Sequence, residues 1–252
     1  AAATVTAGVQ GSSYSAEQDA PGRSDVCPTL ALRCTLPLAV EARGAYSRAV
    51  RYPTLHTLYS ETSGNPDLRP ETADKFEAGL ERWFLGKGER HLAVEVSWFR
   101  SELDNLIYRP NSSQQFRNIL ESVLTGMEAT MRAGWSERLV FEAGYIWIDR
   151  DASTPEVVEE LAPHRLSLAA TLKAPFGTAL RYDFSSLAER TTYVPDRMLD
   201  AYQYHSISLS QAVGPRLSLR FDVFNVTDAN YEEELGYPAP GRQLSAGFDW
   251  RM

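Results

Sequence analysis

The sequence predicts an all-β chain, an antiparallel up-and-down meander of about twelve strands of the kind that forms a transmembrane β-barrel. Three observations predict it. Polarity alternates with period two through most of the chain. The connections between the alternating runs are short and long in strict turn. Aromatic residues make up 11% of the chain, while no apolar run approaches the ~20 residues that a membrane helix needs.

The alternation is clearest in three segments. In 90–100, Leu92, Val94, Val96 and Trp98 fall on one face, and His91, Ala93, Glu95 and Ser97 on the other. In 216–225, Leu217, Leu219, Phe221 and Val223 oppose Arg216, Ser218, Arg220 and Asp222. In 164–173, Leu166, Leu168, Ala170 and Leu172 oppose Arg165, Ser167, Thr171 and Lys173. Runs of this kind, each near the ~10 residues of a spanning strand, centre on Val5, Leu30, Val40, Gly79, Val94, Met127, Phe141, Leu168, Leu180, Leu209, Leu219 and Phe248. No fixed-period repeat marks a propeller or solenoid.

Short turns are expected at 35–37, 86–89, 134–137, 174–177 and 214–215. Long polar connections are expected at 11–26, 50–73, 109–120, 149–163, 187–201 and 226–240. Sorting of this kind suits a barrel with short periplasmic turns and long outer loops. A soluble β-sandwich has no reason to sort its loops by length. The polar rows carry mixed charge, Glu41 with Arg43, Glu128 with Arg132 and Arg181 with Asp183, which suits a wet lumen wall or the surface around a plug.

The net charge of −8 argues against a nucleic-acid partner. The chain starts at Ala1 in a strand-like run, and an exported barrel needs a secretion signal, so the start reads as truncated. Cys27 and Cys34 are the only cysteines. An oxidising surface would allow a disulfide. If the intervening residues form a strand, however, the sulfurs lie roughly 23 Å apart, far beyond the reach of a bridge. Metal binding by this pair alone lacks its remaining ligands.

Two motifs carry a family resemblance. Segment 44–80, GAYSRAVRYPTLHTLYSETSGNPDLRPETADKFEAGL, contains Arg51 and Pro53 at the end of one strand, then Asn65, Pro66, Leu68, Pro70 and Glu71 at the head of the next. Segment 221–250, FDVFNVTDANYEEELGYPAPGRQLSAGFDW, contains Asn225, Asp228 and Tyr231, then Pro240, Gly241 and Arg242 before the closing strand. Both resemble segments of TonB-dependent outer-membrane receptors, in the right order and roughly 160 residues apart. Ser97, Phe99, Ile107, Gly126 and Glu128 agree with the pattern between them. Tyr52, where many relatives have Ala, and Met252, where barrels commonly end in an aromatic, depart from it.

The resemblance covers about residues 30–252. It implies a barrel of roughly 22 strands, an N-terminal plug inside it, and energy delivered through the TonB complex by way of that plug. This chain would supply the last twelve or so strands, with the plug and earlier strands outside it. The function implied is active uptake of a scarce nutrient across the Gram-negative outer membrane, with a ferric siderophore as the leading expectation. A passive channel, or import of haem or cobalamin, stands as the alternative. Outer-membrane lipid and lipopolysaccharide would surround the barrel, and no cofactor or resident metal is expected.

The motifs read as mainly architectural. Proline lacks a ladder donor, so Pro53, Pro66 and Pro70 belong where pairing stops. Asn225 and Asp228 can bond their own backbone and start a turn. Gly241 is expected to permit a turn closed to other residues. Ligand contact is better sought among loop aromatics and arginines, because ferric chelates are often anionic and carry flat rings. The candidates are Tyr59, Tyr108, Arg109, Phe116, Arg117, Tyr193, Arg197, Tyr231 and Tyr237, each of which also reads as a loop-packing residue.

His56 lies where some haem importers carry a loop histidine, but it also reads as an ordinary surface side chain. His91, His164 and His205 lack metal-ligand spacing. Acidic clusters in 149–160 and 228–234 read as solvated surface, or as bridging to lipopolysaccharide, because calcium-loop spacing is missing. No enzyme is expected: there is no GxSxG or HExxH, and His205 and Ser206 are strand neighbours pointing to opposite faces.

Overall fold

The computed structural model describes residues 3–14, 23–85, 89–109, 113–152, 161–192, 194 and 196–251. Twelve strands form one sheet: β1 (Ala3–Tyr14), β2 (Arg23–Leu36), β3 (Val40–Arg51), β4 (Glu71–Leu85), β5 (His91–Tyr108), β6 (Arg117–Ser136), β7 (Leu139–Ala152), β8 (His164–Ala174), β9 (Thr178–Leu187), β12 (Tyr202–Val213), β13 (Leu217–Phe224) and β16 (Gln243–Trp250). Two small hairpins, β10–β11 (Arg190–Thr191 with Met198–Leu199) and β14–β15 (Glu232–Glu234 with Tyr237–Pro238), lie in the connections. Each sheet strand neighbours the next sheet strand in sequence, so the sheet is a meander. All twelve expected centres fall in its strands. No described helix is long and apolar enough to cross a membrane, which says nothing of strands.

The chain divides into two compact units. The first holds β1 to β3, a helix α1 (Leu55–Tyr59), β4 as far as Leu80, β5 from Ser97 and β6 as far as Met127. In it, Val5 faces Leu32 and Ala7 faces Leu30 across β1 and β2. Cys27 and Cys34 both lie in β2 and are free thiols, as the strand reading requires. The turn to β3 is a single 3-10 turn at Pro37–Ala39, with Leu38 and Ala39 at positive φ. That is two residues later than the sequence suggested. Proline fixes the entry, and the ladder ends only when its missing N–H is reached.

The second unit holds the remaining parts of β4 to β6, most of β7, and β8 onward. Its registers sort the side chains by face. Leu139, Leu172, Leu180, Leu209, Phe221 and Ala246 pair in one row, and Leu172, Leu180, Leu209 and Phe221 are exposed. The neighbouring row, Val140, Thr171, Arg181, Ser208, Asp222 and Ser245, is polar after its first member. A sheet that displays leucine and phenylalanine on its open face is built for hydrocarbon. On β5, Val96 and Trp98 are exposed and Ala93 is buried. Glu95 lines a concavity with Arg132, Glu142, Arg181 and Asp183, so it belongs to the polar face as expected.

Several boundaries differ from the expectations. β5 and β6 run for 18 and 20 residues, well past a spanning length, because polar alternation continues beyond the apolar band. The turn expected at 134–137 falls at Glu137 and Arg138, since β6 continues to Ser136. The connection 50–73 contains α1, and β4 already starts at Glu71. The turn residues 86–88 and loop residues 153–160 lie outside the described residues. β1 and β16 end the strand order, and among the described residues neither has a second strand partner.

Candidate functional site

In the first unit, the first motif is a latch. Arg51 donates from Nε to Glu71 Oε2 and from Nη2 to Glu71 Oε1 at 2.6 Å. The same Oε1 accepts the Ile107 N–H at 2.7 Å, which ties the end of β3 and the head of β4 to β5. Between the two ends, Thr54 caps α1 by accepting from Thr57 N, and Pro53, Leu58, Leu68 and Pro70 are buried. Asn65 accepts Asp67 N through Oδ1 at 3.0 Å, and its Nδ2 donates to Phe116 O at 2.8 Å. Asn118 clasps Arg69 from both sides, accepting its N–H at 2.8 Å and donating to its carbonyl at 3.0 Å. Tyr52, the departure from the family pattern, brings its hydroxyl within 2.8 Å of Asp25 Oδ2 and 3.1 Å of Ser12 O.

This scaffold gathers three of the sequence candidates. Phe116 is half-buried, with the Arg109 guanidinium 5.7 Å from its ring centre and the His56 ring edge-on at 5.9 Å. Tyr59 is exposed at the end of α1. Tyr108 closes β5 and Arg117 opens β6, so both sit at strand ends rather than within a loop. His56 lies in α1, with its ring packed edge-on against Phe116.

In the second unit, the second motif is a hinge. Asn225, 1% exposed and at positive φ, accepts Ala229 N and donates to Ala229 O, both at 2.9 Å. Asp228, also at positive φ, accepts the Arg242 N–H at 2.7 Å, and Arg242 Nε donates to Val226 O at 3.0 Å. Gly241 corrects one expectation. Its φ is not in the left-handed region; a Cβ there would meet Asp228 Oδ1 at 2.7 Å, so close approach is what excludes a side chain. The asparagine and the aspartate, not the glycine, adopt the left-handed conformation.

Above this hinge, Tyr231 stacks on Tyr202 with ring centres 4.1 Å apart, and Tyr204 meets Tyr231 edge-on. Burial, and then the Glu233 carboxylate, push the Tyr231 hydroxyl above its ordinary range. Arg190 reaches over Tyr202 and donates to the carbonyls of Glu232 and Glu233 at 2.7 and 2.9 Å. Tyr237 and Arg197 are exposed, and Tyr193 lies outside the described residues. Among the described residues no group of three or more His, Cys, Asp or Glu is placed to hold a metal. Sequence reasoning missed Asn118, Arg190 and Tyr202. Tyr202 and Tyr204 alternate at a strand head, a signal that the search for loop aromatics passed over.

An antiparallel meander with an exposed apolar face, its connections held by two motif clusters, is the architecture of an outer-membrane β-barrel wall. The chain belongs to the family described as "TonB dependent receptor-like, beta-barrel", whose model matches residues 3–226. This membership places it in the Gram-negative outer membrane. The chain is similar to the vitamin B12 transporter BtuB of Vibrio vulnificus (strain YJ016), 27% identical over 236 residues covering 84% of this chain and 35% of that protein. It is 25% identical to BtuB of Vibrio cholerae (strain Classical Ogawa 395) over 217 residues, 82% of this chain and 34% of that protein. The chain therefore spans about a third of the length of the curated relatives it matches. Among solved structures, the FrpB iron transporter of Neisseria meningitidis aligns with TM-score 0.79 and 12% identity over 98% of this chain and 43% of that one. The copper transporter OprC aligns with TM-score 0.74 and 18% identity over 91% and 40%. At these identities the structures share the fold alone.

Proposed function

We propose that this chain contributes the C-terminal strands of the barrel of a receptor that imports a small extracellular ligand with energy from the TonB complex. We further propose that the ligand is a corrinoid of the vitamin B12 kind. The observation that carries this reading is the 27% identity to a vitamin B12 transporter over 84% of the chain. It favours cobalamin over the ferric siderophore that the loop composition suggested, because the iron and copper transporters share the fold without comparable sequence identity. In this reading TonB acts through the plug, lipopolysaccharide surrounds the barrel, and the outer loops capture the ligand. In the second unit, the Tyr202–Tyr231 stack is an aromatic surface suited to a ring system.

The test is whole-cell uptake of radiolabelled cyanocobalamin and of a ferric catecholate by cells carrying the receptor, with and without TonB. Saturable, TonB-dependent cyanocobalamin uptake is expected. Accumulation of the ferric catecholate instead restores the siderophore reading, and linear uptake independent of TonB favours a passive channel.

A further inference from the structure

Four residues of the second unit pair directly across four strands: Ile146 with Arg165, Arg165 with Leu187, and Leu187 with Tyr202. They form one row where β7, β8, β9 and β12 meet their long connections. Because side chains alternate along a strand, Arg165 shares a face with Ser167 and Thr171, which is the polar face. With Ile148, Leu161, Arg190 and Glu233, this row lines a cavity of ≈ 370 Å³.

Among the described residues, this cavity is lined by two guanidinium groups and one carboxylate. Arg190 is 3% exposed, and its Nη2 is held by the carbonyls of Glu232 and Glu233. Its Nη1 is buried and has no hydrogen-bond partner among the described residues. Arg165 is exposed into the same space and forms no ion pair among the described residues. Among the described residues Glu233 is the one acid in the lining. Folded proteins rarely leave a buried charged donor without an acceptor, so an acceptor that enters the cavity would complete this one. The remaining walls, Ile146, Ile148, Leu161 and Leu187, are apolar.

We propose that this cavity is a ligand subsite for an anionic oxygen group, a carboxylate or phosphate, carried on an apolar or aromatic body. Arg190 Nη1 and Arg165 donate to the oxygens, and guanidinium groups suit both anions because their donors are planar and paired. The isoleucines and leucines take the body, over the ring of Tyr202. The volume fits one appendage of a large nutrient rather than all of it. The inference rests on the receptor reading only for the identity of that nutrient.

The test uses the purified receptor in detergent, titrated calorimetrically with benzoate, benzyl phosphate and the neutral benzyl alcohol. Both anions should bind about tenfold or more tightly than the alcohol. Arg165→Gln should abolish that preference, and Arg165→Lys should keep part of it. Arg190→Gln should abolish it too but can disturb the loop it holds, so the heat-dependent gel mobility of each variant serves as the folding check. Equal binding of the three probes, or unchanged benzoate affinity in folded Arg165→Gln, overturns the proposal. Cyanocobalamin uptake is measured in parallel. Its absence with probe selectivity intact removes only the corrinoid reading, whereas normal uptake with equal probe binding removes only the subsite.

Discussion

The guanidinium of Arg51 closes on both carboxylate oxygens of Glu71, and that carboxylate also accepts the Ile107 N–H. The two partners are unequal, because the Glu71 side chain is 9% exposed and that of Arg51 73%. Glu71→Ala is expected to cost about 1.5–3 kcal/mol, since it strands the Ile107 amide along with the charge pair. Arg51→Ala should cost under ~1 kcal/mol, because an exposed guanidinium is screened by water. Urea unfolding of both variants in detergent checks this, and equal losses would show that the Ile107 bond contributes nothing.

The hinge makes a coupled prediction. Gly241→Ala would press a Cβ to 2.7 Å from Asp228 Oδ1, the atom that accepts the Arg242 N–H. A loss of about 1–3 kcal/mol is expected in the native background. In an Asp228→Ala background the same substitution should cost little, because the obstructing oxygen is gone. Additive losses in the double-mutant cycle would remove the steric account.

A short turn carries a pH signature. The hydrogen bond with Glu137, then its charge, and then desolvation raise the Glu89 carboxyl above its ordinary value of 4.5. A carboxyl whose folded value is raised binds its proton more tightly in the folded state. Its stabilising contribution is therefore complete below the ordinary value and is lost as pH rises through the folded value. The unfolding midpoint should fall as pH rises above that ordinary value, and less so in Glu89→Gln. Parallel pH profiles would refute the pairing.

Strand parity puts the connections that hold Asp67 and Glu233 on one side of the meander and the turn after β6 on the other, and we expect the first side to face outward. With Cys27→Ser and Cys34→Ser removing the two native thiols, Asp67→Cys and Glu233→Cys should react with an impermeant maleimide on intact cells. Arg138→Cys, in the short turn after β6, should not. Labelling at Arg138→Cys with protection at the other two would invert the topology.

The edges of the sheet make a prediction about the segment by itself. β1 and β16 lack a second partner among the described residues, and hydrocarbon cannot satisfy unpaired backbone groups. Residues 1–252 expressed alone behind a secretion signal should give no TonB-dependent uptake of cyanocobalamin. Saturable uptake that requires TonB would show that the edges find each other.

The sequence by itself determined the strands, their faces and the place of both motifs. Period-two alternation is a relation between chain neighbours, so Leu166 and Arg165 declare opposite faces without any partner strand. The motif residues were legible for the same reason, as short strings whose prolines and asparagines stop a ladder or start a turn. Only the tertiary structure decided what those residues meet. Nothing in the string assigns Glu71 to Ile107, or sets Asn118 around Arg69. Gly241 was read as a conformational glycine, yet the space it needs is set by Asp228, thirteen residues earlier in a folded-back loop. Ile146, Arg165, Leu187 and Tyr202 became one row through three strand registers, and a register depends on the turns and bulges between strands rather than on any one strand. The unpartnered Nη1 of Arg190 exists only because a hairpin from another connection covers it, a relation that no local pattern in the chain encodes.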